Sequence, residues 1–149
     1  MQSMARYLAI DLGEKRIGLA ISDPTFTIAQ PYKTIPFKNL KQLVKDLKQV
    51  IHDKEISKVI IGLPLTLKGT FSQKTTEVDE IITELQERLK PVPVVKFDER
   101  LTTIQAHSTL KQMGKSPSRH RERVDQLAAM HLLQNYLDRE NNWRKQDDT

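Results

Sequence analysis

Three carboxylates in this chain stand in settings where a side chain could do chemistry. Asp11 follows the apolar run Tyr7-Leu8-Ala9-Ile10 and leads into Leu12-Gly13. An ionised carboxylate beside buried neighbours is costly unless it is paired or binds a metal. Arg16, across the turn, is a candidate counter-ion; the alternative is that Asp11 works. Glu99 ends a second apolar stretch, Val92 to Phe97, where open α/β sheets place their ligands. Strand alternation puts Glu99 with Val95 and Phe97, and puts its competitor Asp98 with Lys96 on the other face. Asp125 lies three, four, seven and eleven residues before Ala128, Ala129, Leu132 and Tyr136. That spacing sets it on the packing face of a helix, and the two alanines would let the backbone approach a sheet closely. A first-turn acid favouring the helix dipole is the simpler reading of Asp125, but it does not account for the face.

If the three acids converge, their mutual repulsion raises their pKa values unless cations neutralise them. No lysine or arginine on the same faces is evident from the sequence. Hard divalent cations do this work with oxygen ligands. Two such ions about 3.5–4 Å apart can activate water and stabilise a leaving phosphate oxygen. The segment Lys115 to Arg123, which carries Lys115, Arg119, Arg121 and Arg123, runs directly into Asp125. Such cations contact phosphates and position a backbone without reading bases. Arg16, Arg100, Thr102 and Thr103 are further candidate contacts. The four histidines show no zinc-type spacing, and no Ser-His-Asp set or Walker A loop is present.

The elements that must position these residues follow from periodicity. Tyr7–Leu12 and Ile17–Ile21 read as a β-hairpin. Thr27–Ile35 reads as a third strand that Pro31 confines to an edge or a bulge. Leu40, Leu43, Val44, Leu47, Val50 and Ile51 fall at helical spacing behind the N-cap candidate Asn39. Val59-Ile60-Ile61 suits a strand buried on both faces. Ser72 can cap a second helix through Val78, Ile81, Ile82, Leu85 and Leu89, and a fifth strand follows from Val92. Thr102 with Gln105 matches a capping box for a helix closed by Gly114. A last helix is expected from about Glu122 to Asp138. The order β-β-β-α-β-α-β-α-α predicts an α/β fold: a mixed five-stranded sheet, three strands antiparallel, with helices on both faces.

At 149 residues the chain suits one domain, expected over 1–138, with a polar, frayed tail at 139–149. There are no cysteines, which excludes a disulfide scaffold and a Cys-based zinc site or nucleophile. No apolar stretch approaches the ~20 residues of a membrane span, and the N-terminus lacks a signal-peptide pattern. The expectation is a cytoplasmic protein with no membrane partner. A net charge of +5 and a pI near 9.5 favour a polyanionic partner.

Four motifs in order carry a family resemblance. They are Ile10-Asp11-Leu12-Gly13 with Arg16-Ile17-Gly18-Leu19-Ala20 and Ser22-Asp23; Gly62-Leu63-Pro64 with Gly69-Thr70; Asp98-Glu99-Arg100-Leu101-Thr102-Thr103 with Ala106; and Asp125-Gln126-Leu127-Ala128-Ala129. Together, over about residues 5 to 138, they resemble the YqgF family, also called RuvX, related to the RuvC resolvases. The resemblance implies a ribonuclease H-like fold and a Mg²⁺- or Mn²⁺-dependent nuclease whose acidic triad maps onto Asp11, Glu99 and Asp125. It also implies nucleic acid as partner: precursor 16S ribosomal RNA processed at its 5′ end, or branched DNA at a four-way junction. Gln126 departs from the small or apolar residue expected after the last acid. The sequence is equally compatible with a monomer or a homodimer. Two other readings stay open, a nucleic-acid-binding assembly factor without turnover and, from Ile-Asp-Leu-Gly, an actin- or Hsp70-type ATPase, although those are far longer chains.

Overall fold

The computed structural model describes residues 5–66, 68–98 and 121–147. Strands β1 (Arg6–Leu12) and β2 (Arg16–Ser22) form the expected antiparallel hairpin. Its turn is tight: the Gly13 amide donates to the Arg16 carbonyl at 3.0 Å. A Cβ on Gly13 would lie 2.5 Å from that carbonyl oxygen, so only glycine fits. Strand β3 (Ala29–Pro36) pairs antiparallel with β2 and forms one edge of the sheet. Its register slips where Leu19 faces Lys33 and Ala20 faces Pro31, leaving Tyr32 as the extra residue of a bulge. The proline that predicted an edge or a bulge therefore sits in both.

Helix α1 (Leu40–Asp53) starts where Asn39 accepts a hydrogen bond from the Gln42 amide at 2.8 Å. Strand β4 (Ile56–Leu63) returns parallel to β1, and its core is buried on both faces. Helix α2 (Gln73–Arg88) is capped by Ser72, with Thr75 closing a reciprocal capping box. Strand β5 (Val94–Asp98) pairs parallel with β4, giving the order β3-β2-β1-β4-β5. The helix expected from Thr102 to Gly114 lies outside the described residues. Helix α3 spans Arg121–Asp147. None of the described helices is long and apolar enough to cross a membrane.

The sheet divides two apolar layers. Leu8, Ile10, Ile17, Leu19, Val59 and Ile61 pack against Leu43, Leu47, Ile82 and Leu85 of α1 and α2. The alternate residues Tyr7, Ala9, Ala20 and Ile60 pack against Ala129, Leu132, Leu133, Tyr136 and Leu137 of α3. Small residues on that second face let a single long helix lie close to the strands.

Helix α3 does not stop at Asp138. Glu140 accepts hydrogen bonds from the Tyr7 hydroxyl at 2.8 Å and from Lys58 Nζ at 3.0 Å, which hold this part of the helix against the sheet, and from Arg144 of the same helix at 3.0 Å. Lys58 also donates to the Tyr136 hydroxyl at 2.9 Å and lies over the Tyr7 and Tyr136 rings. Burial disfavours both charges here, yet the hydrogen bonds outweigh it. They hold the Glu140 carboxyl below its ordinary 4.5 and push Lys58 above its ordinary 10.5. The Glu140 contribution to stability is therefore complete above pH 4.5 and fades as pH falls through its folded value. That of Lys58 is complete below pH 10.5 and fades as pH rises through its own. Glu140→Gln is expected to lower stability by about 2 kcal/mol near neutrality. Urea titrations of both proteins across the acid range should show that gap closing below pH 4.5.

Candidate active site

Asp11 lies on the sheet face that α3 covers, in line with Tyr7 and Ala9. It is close to the C-terminal end of β1, with β4 parallel beside it and β5 parallel beyond β4. Its cross-strand partner is Gly18 of β2. A Cβ built on Gly18 would lie 2.0 Å from the Asp125 carbonyl oxygen, 2.3 Å from its carbonyl carbon and 2.9 Å from its Cβ. The first part of α3 thus occupies the space that a side chain at position 18 would need. Directly paired residues on one sheet face have Cβ positions about 5 Å apart. The Asp11 and Asp125 Cβ atoms are therefore no more than about 8 Å apart.

The alanines after Asp125 do lie inward, at 2% exposure for Ala128 and none for Ala129, but the closest approach is made by Gly18. In the sequence Gly18 stands within a motif with no role assigned to it. A glycine inside an otherwise apolar strand is the available signal, since it often marks a close backbone approach. Gln126 has a role as well: it donates to the Thr34 hydroxyl at 3.1 Å and ties the start of α3 to β3. Because α3 already includes Arg121, Asp125 falls beyond the first turn, where the helix dipole has faded. Arg121 and Arg123, expected at the end of the basic loop, are helical, and Arg123 is exposed.

The absence of a neutralising cation on these faces is corrected by the structure. Arg16 Nε donates to Asp125 Oδ2 at 3.0 Å, with the two side chains 33% and 20% exposed. Arg16, expected as a counter-ion for Asp11, is the counter-ion of Asp125. It stands on the Asp11 and Gly18 face because β2 alternates and Ile17 points into the opposite core.

On β5, Phe97 packs edge-on against Tyr136 of α3, whereas Lys96 bridges to Asp79 of α2 at 2.8 Å. The same alternation sets Asp98 on the α2 side, away from the face of Asp11. Glu99, Arg100, Thr102, Thr103, Lys115 and Arg119 lie outside the described residues. Among the described residues no three acids or histidines group closely enough to hold a metal ion. Asp11 and Asp125, within about 8 Å at Cβ, offer only carboxylate oxygens, the donors that Mg²⁺ and Mn²⁺ prefer. The guanidinium on Asp125 shows that this position draws a cation. A cavity of about 270 Å³, lined by Leu12, Phe37, Lys74 and Val78, opens on the other side of the sheet and brings in neither acid.

The family described as "RuvX: Holliday junction resolvase" matches residues 5–139. Two similar proteins carry the name "Putative pre-16S rRNA nuclease". The one from Syntrophomonas wolfei is 41% identical over 133 residues, covering 89% of this chain and 94% of that protein. The one from Acetivibrio thermocellus is 40% identical over 134 residues, covering 89% and 95%. Among solved structures, the Fowlpox virus resolvase bound to Holliday junction DNA superposes with a TM-score of 0.53 at 14% identity, covering 89% of this chain and 97% of that one. RuvC of Thermus thermophilus gives 0.51 at 15% identity, covering 91% and 96%. These likenesses show the fold, which is ribonuclease H-like.

Gly18→Ala is expected to cost about 2–3 kcal/mol, because the new methyl group meets helix backbone and not a flexible side chain. Denaturant unfolding measures it. A loss below 0.5 kcal/mol, roughly the scale of a surface substitution, would show that α3 can move away at little cost.

Proposed function

The chain belongs to the RuvX family of Holliday junction resolvases, and on that premise we propose that it is a divalent-metal-dependent nuclease whose substrate is precursor 16S ribosomal RNA. One observation at the site supports this most directly: the close seating of Asp125 over the Asp11–Gly18 rung. Two carboxylates this close need positive charge beside them; Arg16 supplies it in this structure, and a divalent ion is proposed to supply it in the working enzyme.

In this reading Asp11, Asp125 and Glu99 hold Mg²⁺ or Mn²⁺. Such an ion, when bound, supplies positive charge at a phosphate and makes a water molecule more acidic. The protein's own part is placement. Asp11 sits on the central strand of the sheet, with a paired neighbour on each side, and gives the site a fixed floor. Asp125 is fixed by its helix backbone. Arg100, Lys115, Arg119, Arg121 and Arg123 hold phosphates, and the Thr102 and Thr103 hydroxyls add hydrogen bonds. Work on ribosomal RNA precursors fits a cytoplasmic, cysteine-free chain. A second reading, cleavage of four-way DNA junctions, is favoured by the description of the matching family.

The test is incubation with precursor 16S RNA and with a four-way DNA junction, each with Mn²⁺ or with chelator. Asp11→Asn is run alongside. The RNA is expected to be cut only with metal. The Asn variant should lose roughly 10²–10³-fold or more in rate, the scale of removing one electrostatic stabiliser, while keeping its RNA affinity. Cutting of the junction alone transfers the assignment to DNA. Cleavage by the Asn variant at the parent rate would falsify the site.

A further inference from the structure

We infer that Arg16 is an exchangeable counter-ion: it holds Asp125 in the metal-free protein and gives it up when a divalent cation binds. The inference rests on the metal-dependent reading above and concerns this chain's own residues.

Three features carry it. The Arg16–Asp125 bond joins the first residue of β2 to α3, so it is made by the fold and not by sequence neighbours. The backbones at both ends are fixed. Arg16 sits at the tight Gly13 turn, and its carbonyl accepts the Gly13 amide. The backbone of Asp125 lies where a Gly18 side chain would be. Only the side chains have room to rearrange, and the guanidinium is carried on a long, flexible stem. Finally, Arg16 is on the same sheet face as Asp11, so its positive charge lies beside the position that a divalent cation would take. Two cations cannot share one carboxylate pair without strong repulsion in a partly dehydrated site.

The guanidinium is therefore both a support and a competitor. Without metal it offsets the repulsion between Asp11 and Asp125. With metal it is repelled; the Arg16 side chain is already 33% exposed in the ion pair, so the released guanidinium can meet a phosphate, to which its planar fork is matched. A purely structural ion pair would behave otherwise, because its removal would loosen the carboxylate and weaken metal binding.

The experiment is Mn²⁺ titration by calorimetry, with thermal melting in chelator and in Mn²⁺, on the full chain and on Arg16→Gln, Arg16→Lys and Asp125→Asn. Arg16→Gln is expected to melt lower than the parent in chelator, to bind Mn²⁺ about 10-fold tighter, the order of one half-exposed ion pair, and to gain more Tm from the metal. Arg16→Lys should restore parent-like affinity. Unchanged or weaker Mn²⁺ binding by Arg16→Gln, with parent binding intact and lost in Asp125→Asn, overturns the exchange and leaves the nuclease reading standing. A parent that binds no Mn²⁺, indistinguishable from Asp125→Asn, overturns both.

Discussion

Helix α3 comes within contact of the sheet backbone because position 18 carries no side chain. That one omission controls most of what lies around it. It sets the height of the helix over β2, and with it the depth at which Asp125 enters the space beside Asp11. The neighbouring small residues, Ala9, Ala20 and Ala129, are graded to the same separation. A bulkier residue at any of them would tilt the helix, and the carboxylate would move with it.

The helix is held at both ends by charge and along its middle by apolar contact. At the site end stand Arg16–Asp125 and Gln126–Thr34; about 22 Å away along the axis stands the Glu140 cluster. Between them Gln134 accepts from the Ala29 amide and donates to the Thr27 carbonyl, tying the helix to the start of the edge strand. The polar contacts are directional, whereas the apolar layer between them is not. Burial supplies most of the attraction, and the ionic ends fix the position of the helix along its own axis.

Much of this was legible in the sequence where the governing physics is local. Asn39 and Ser72 cap the helices they were expected to cap, since a cap is decided within three residues. The parity of β5 was readable from alternation, and Phe97 and Lys96 do point to opposite faces. What escaped was non-local. Glu140 looks like part of a polar tail because Tyr7 and Lys58, which hold it, lie 133 and 82 residues away. Arg16 looks like a partner for nearby Asp11, yet it reaches a carboxylate 109 residues distant. Periodicity reports which face a residue occupies; it does not report which distant element will cover that face.

The bulged margin formed by β3 has a bearing on how copies of this chain can meet. Pro31 and Pro36 have no amide hydrogen to donate, and both are exposed, as is Lys33 between them. An incoming strand laid along that border would find gaps in its hydrogen-bond ladder and a positive charge in its path. The sheet thus ends there by construction. Copies of this chain therefore do not associate by continuing the sheet through β3.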